Sequence, residues 1–85
     1  MFEIRWSRSA YESLARIWTA ADSARRAAIT SAVPAIENRL AHDPMRAGES
    51  RERPTRRIVH EPPVGVELNV DDSNRVVKVI RFWDF

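Results

Sequence analysis

Five arginines stand between Arg46 and Arg57 (Arg46, Arg51, Arg53, Arg56 and Arg57), against two glutamates, Glu49 and Glu52. A guanidinium offers a rigid planar fork of donors that fits phosphate or carboxylate oxygens. The cluster runs into a stretch in which Val64, Val66, Leu68 and Val70 alternate with Gly65, Glu67 and Asn69. A period of two puts those four apolar side chains on one sheet face, so the basic loop is delivered to the rim or face of a small sheet. Further on, Arg81 interrupts the apolar run Val76–Trp83. A charge inside such a run needs a polar face or a partner, unless it is an ordinary solvent-facing strand position. Beside it, Trp83 and Phe85 are placed either to stack on a base while arginine holds a phosphate, or to close the core.

Two groups nearby are candidates for proton transfer. His60 lies four residues after Arg56, hence on the same face of a strand, whereas Arg57 projects to the opposite face. Imidazole changes charge near neutral pH, which suits acid–base work. The alternative for His60 is a strand-end histidine bonded to a backbone carbonyl ahead of Pro62-Pro63. Glu67 lies opposite the buried valine row and is a candidate base. His42, at a helix end beside Asp43-Pro44, reads as favourable to the helix dipole.

These residues must be held by a small scaffold. Phe2, Ile4 and Trp6 alternate with Glu3 and Arg5 as a first strand. Ser7 or Ser9 caps a helix, and Ser9 with Glu12 has capping-box spacing. Tyr11, Leu14 and Trp18, flanked by Ala10, Ile17 and Ala21, form one apolar face, and Trp6 and Trp18 are expected in the core. Asp22 caps a second helix that carries Ile29, Val33, Ile36 and Leu40 on one side. Pro34 inside that pattern predicts a bend rather than a break, and Asp43-Pro44 ends the helix. Met45–Arg53 reads as the one long polar connection. Thr55–His60, Val64–Val70 and Val76–Trp83 follow as strands, joined by Glu61-Pro62-Pro63 and by Asp71–Asn74. The order is β-α-α-β-β-β, a two-helix hairpin packed on a small antiparallel sheet, α+β in class.

Composition sets the outer limits. The 85 residues fit one domain, which buries only roughly 60–65% of its unfolded surface, so its stability margin is expected to be thin or borrowed from a partner. With no cysteine, a disulfide framework and a thiolate metal site are excluded, and a reducing cytoplasm fits. The beginning, Met-Phe-Glu-Ile-Arg-Trp, shows neither a signal peptide nor a membrane span. Two histidines far apart make a metal centre unexpected. The net charge of +2 is too small for nucleic-acid binding by the whole protein, which leaves the local arginine cluster as the signal.

Taken in order, these segments resemble the RelE/ParE superfamily of type II toxin–antitoxin toxins, which include plasmid stabilisation proteins. The resemblance spans essentially the whole chain, 1–85. It is carried by the first strand and helical hairpin, by Asp43-Pro44-Met45-Arg46-Ala47-Gly48-Glu49-Ser50, by Pro63-Val64-Gly65-Val66-Glu67-Leu68-Asn69-Val70-Asp71, and by Arg75-Val76-Val77-Lys78-Val79-Ile80. It implies a cytoplasmic bacterial toxin without cofactor, neutralised by a cognate antitoxin. RelE-like members cleave messenger RNA on the ribosome, ParE-like members poison DNA gyrase, and others have no demonstrated activity. Under the RelE-like reading the catalytic candidates are Arg56, Arg57, His60, Glu67 and Arg81, and the RNA-binding candidates are Arg46, Arg51, Arg53 and Trp83. RelE-like nucleases carry further basic and aromatic residues in a C-terminal extension. The sequence here runs to Phe85, so the resemblance assigns no residue there.

Overall fold

Alternation in one strand builds the centre of the molecule. The computed structural model describes residues 1–85. Its elements are β1 (Glu3–Trp6), α1 (Arg8–Ala20), α2 (Ser23–His42), a 3-10 turn (Pro44–Arg46), β2 (Glu49–Arg51), β3 (Arg53–Glu61), β4 (Val64–Asp71) and β5 (Val76–Asp84). The sheet runs β1-β5-β4-β3-β2, so β4 lies in the middle, paired antiparallel with both neighbours. Val64, Val66, Leu68 and Val70 are all buried on the face that the helices cover. Val59 of β3 and Val77, Val79 and Phe82 of β5 extend that layer. Each such side chain contributes about 1.5–3 kcal/mol on burial, so this row is the main support of so small a chain.

The helices close the layer from one side. Ile29, Ala32, Ile36 and Leu40 of α2 are buried, and Val33 packs beside them. The helix continues through Pro34. Asp22 caps it by accepting from the Arg25 backbone N–H at 2.9 Å, and Asp43-Pro44 ends it. Ser7 caps α1 by accepting from the Ala10 backbone N–H at 3.0 Å. Ser9 therefore lies inside the helix, and the expected Ser9–Glu12 capping box does not form.

Three further expectations are corrected. The sheet is mixed rather than antiparallel, because β1 pairs parallel with β5, Ile4 opposite Val77 and Trp6 opposite Val79. The hairpin of two long helices returns the chain to the end of the sheet from which β1 began, which makes this pairing parallel. Second, Met45–Arg53 is not wholly irregular: Glu49–Arg51 forms a strand on the edge of β3. Its side chains are all exposed, so no apolar alternation marked it. Third, the core face of α1 is Ala10, Leu14, Ile17 and Ala21, while Tyr11 and Trp18 point outwards, Trp18 being 42% exposed. Arg26 of α2 explains the position of Trp18. Its guanidinium lies 4.5 Å from the indole centroid and donates to the carbonyls of Trp18 and Thr19 at 2.9 and 2.8 Å. It thereby satisfies the Thr19 carbonyl at the end of α1 and adds a second donor to the Trp18 carbonyl, which also accepts from the Ala21 N–H at 3.2 Å. Trp6 does pack against the core, and its indole N–H donates to Glu37 at 3.1 Å.

Gly48 joins the 3-10 turn to β2 with φ +59°, and a Cβ there would lie 1.9 Å from the Ile58 carbonyl oxygen. Both the left-handed conformation and the close approach require glycine. Gly48→Ala should lower stability by at least about 1–3 kcal/mol, read as a fall in the urea midpoint at unchanged slope.

Candidate functional site

The face of the sheet away from the helices carries most of the residues singled out above. Because Val64, Val66, Leu68 and Val70 point into the core, Gly65, Glu67 and Asn69 of β4 point the other way. The register sets three rows across this open face. His60, Gly65 and Trp83 form one, Ile58, Glu67 and Arg81 the next, and Arg56, Asn69 and Lys78 the third. Rows lie about 7 Å apart, two residues along a strand.

Arg81 reaches this face through a bulge. Strict alternation from Val77 and Val79, both buried, would turn residue 81 into the core. Instead Glu67 pairs with Arg81 while Leu68 pairs with Val79, so Ile80 is an extra residue in β5. The bulge reverses the phase, sending Phe82 inwards and Arg81 and Trp83 outwards. A charge at an inward-phase position is the trace that the bulge leaves in the sequence.

Glu67 is the hub. Its side chain is 14% exposed, and its two oxygens accept from Arg81 Nε at 2.7 Å and from Arg56 Nη1 at 3.2 Å. Burial pushes the Glu67 carboxyl up, but the hydrogen bonds and charges of Arg56 and Arg81 outweigh it. The carboxyl is held below its usual value of 4.5. Glu67 is thus an anion at neutral pH with both oxygens engaged, a poor proton acceptor. Arg56 Nε is buried without a partner.

The row at one side is aromatic. The His60 ring stands edge-on to Trp83 and to Phe85, with centroids 5.9 and 5.6 Å apart. It makes no hydrogen bond to a backbone carbonyl, the alternative considered for it. Trp83 lies over Gly65, where an added Cβ would come within 2.7 Å of the indole. The Arg81 guanidinium is 5.7 Å from the Trp83 ring centroid. Arg25 of α2 fixes the segment that follows, donating to Asp84 at 3.2 Å and to the Phe85 carbonyl at 2.8 Å. Arg81 and Trp83 also line, with Ser9 and Ser13 of α1, a pocket of about 280 Å³ beside β5.

The other candidates lie apart. Arg57 is on the helix side, donating to the carbonyls of Ala47, Pro54 and Gly48 at 2.7, 3.1 and 3.2 Å. It anchors the connection before β2, with each of its three guanidinium nitrogens donating to a backbone carbonyl. Arg46 is exposed on the 3-10 turn, while Arg51 and Arg53 are exposed around the tight β2–β3 turn at Glu52. Arg53 stands roughly 10 Å along β3 from Arg56, at the far tip. His42 ends α2 with Nδ1 2.8 Å from the Asn38 carbonyl. Sequence reasoning missed Lys78 and Gly65. Lys78 adds an exposed cation to the Arg56 row, and its place between buried Val77 and Val79 was the available signal. No group of three or more His, Asp or Glu side chains is placed to hold a metal, and no helix is long and apolar enough to cross a membrane.

Comparison with solved structures places this architecture. A chain of the RelBE2 toxin–antitoxin complex from Mycobacterium tuberculosis superposes with a TM-score of 0.76 at 16% identity, covering 99% of this chain and 98% of the other. A chain of the chromosomal ParDE toxin–antitoxin system from P. aeruginosa gives a TM-score of 0.76 at 18% identity, covering 99% and 96%. The chain has the RelE/ParE toxin fold. No protein-family model and no curated protein matches the sequence. The RelE/ParE fold here thus combines a helix-covered core face with an open face on which Arg56, His60, Glu67, Arg81 and Trp83 meet, and Arg57 belongs to the framework.

The pH dependence of stability follows from Glu67. Its folded pKa is depressed, so its contribution is present above about pH 4.5 and is lost as the pH falls through the folded value. Glu67→Gln should unfold at lower urea than the parent at neutral pH, by roughly 1 kcal/mol, and the gap should narrow on acidification to about pH 3. Paired urea titrations at the two pH values measure this.

Proposed function

We propose that this chain is the toxin of a type II toxin–antitoxin pair, 1–85 forming one toxin domain, and that it acts in the cytoplasm as a ribosome-dependent messenger RNA endonuclease. The observation that carries this reading is the convergence of Arg56, Arg81, His60 and Trp83 on the open sheet face. The fold shared with chains of toxin–antitoxin complexes supports the toxin class.

Cleavage through the 2′-hydroxyl requires a proton acceptor, a donor to the leaving oxygen, and cations for the charge that develops on phosphorus. Arg81 and Arg56 provide the cations. His60, one row from Arg81, takes the proton of the attacking 2′-hydroxyl, the imidazolium so formed gives it to the leaving 5′-oxygen, and the outer surface of Trp83 stacks on a neighbouring base. Lys78 extends the positive surface in the Arg56 row, and Arg46, Arg51 and Arg53, which lie apart from this face, would meet more distant phosphates of the strand. The groove between the helices, lined by Tyr11, Leu14, Trp18, Ile29, Val33 and Pro34 and about 430 Å³ in volume, gives the antitoxin an apolar seat for an amphipathic segment.

Tightly controlled expression in a bacterial host should arrest growth and produce new cleavages within translated codons, read by primer extension on a reporter message. Arg56→Ala combined with Arg81→Ala should reduce those cleavages at least about 100-fold and relieve the arrest. Full toxicity in a soluble double variant would sink this assignment.

One observation favours a second reading, a non-enzymatic inhibitor of DNA gyrase. Both arginines of the face already share a partly buried carboxylate, an arrangement equally suited to a fixed protein-binding surface. Arrest without message cleavage, together with inhibition of purified gyrase in a supercoiling assay free of RNA, would select it. Soluble protein that arrests nothing would instead mark a degenerate toxin that only binds its antitoxin.

A further inference from the structure

Glu67 is built to aim its neighbours rather than to react. Its Oε1 accepts from Arg81 Nε and its Oε2 from Arg56 Nη1, on opposite sides of β4. Both terminal nitrogens of Arg81 are left without a protein partner, as is Nη2 of Arg56. The carboxylate is the deepest member of the cluster, 14% exposed against 31% for Arg56 and 67% for Arg81. An approaching anion therefore meets guanidinium before it meets carboxylate. Two charge-assisted hydrogen bonds also hold the oxygens that a proton acceptor would need free.

We propose that Glu67 is a positioning residue, whose carboxylate ties Arg56 and Arg81 into one clamp with free N–H groups for a phosphodiester oxyanion of single-stranded RNA. The ligand half of this inference rests on the nucleic-acid reading above, while the clamp itself stands on the hydrogen bonds. The physical gain is entropic. An arginine as exposed as Arg81 samples many rotamers, and ordering it on binding costs conformational entropy. Fixing Nε to Glu67 meets that cost on folding and leaves the outer edge of the guanidinium for the ligand.

The inference predicts an effect opposite in sign to simple electrostatics. Glu67→Ala removes a negative charge and raises the net charge from +2 by one unit, which by charge alone tightens binding to RNA. A lost clamp weakens it instead. The probe is a short single-stranded RNA with 2′-O-methyl groups, which binds without being cleaved, followed by fluorescence anisotropy. Glu67→Ala should bind about tenfold more weakly than the parent, and Glu67→Gln, which keeps one acceptor for Arg81 Nε, should lose less. Binding that is unchanged or tighter in Glu67→Ala overturns the proposal.

A second measurement needs no RNA. In NMR spectra of the arginine side chains, the parent should show a shifted, exchange-protected Arg81 Nε–H signal that Glu67→Gln retains in part and Glu67→Ala loses. A signal indifferent to both substitutions overturns the clamp, even if Glu67→Ala folds too poorly for binding studies. A parent with the protected signal but no affinity for the RNA leaves the clamp standing and removes the nucleic-acid ligand.

Discussion

A strand has two faces, and β4 uses both. Its inward row of Val64, Val66, Leu68 and Val70 is the layer on which the helices rest, and its outward row of Gly65, Glu67 and Asn69 is the floor of the open face. The two jobs cannot be separated, because a slip of one residue in pairing would exchange the rows. The same apolar burial that stabilises the chain therefore fixes where the carboxylate of Glu67 sits, and through it the two guanidiniums.

Much of this was legible in the sequence. Period-two spacing marked β4 and placed Arg56, His60 and Glu67 on their faces. Asp22 and Asp43-Pro44 marked the limits of α2. What escaped were features whose causes lie between distant residues. The parallel pairing of β1 with β5 depends on the path of two helices. Glu49–Arg51 is a strand because β3 offers it an edge, and nothing in its own side chains marks it. Trp18 looked like a core residue from its spacing, yet Arg26, eight positions on, gives its ring a polar, exposed environment.

Arg57 and Arg56 show how neighbouring residues of one type can divide. Adjacent strand positions face opposite ways, so one guanidinium enters the carbonyl-rich turn at Ala47–Gly48 while the other reaches Glu67. Composition counted five arginines in the cluster, but the pleat sorted them. One became a brace, one joined the open face, and three remained on the surface. Glu67 similarly changes meaning with its surroundings: a free carboxylate is a base, whereas one shared by two guanidiniums is a fastening.

The extra residue at Ile80 has a consequence for how such a chain can change. Substitutions on the open face alter chemistry one side chain at a time and leave the valine layer intact. Pairing β5 straight through at its present length would turn the Arg81 guanidinium into the core and expel Phe82, whereas loss of Ile80 would remove the bulge and keep Val79 inward, Arg81 outward and Phe82 inward. Length and bulge in this part of β5 are thus coupled, and a related chain one residue shorter here is expected to present the same two faces from a straight strand.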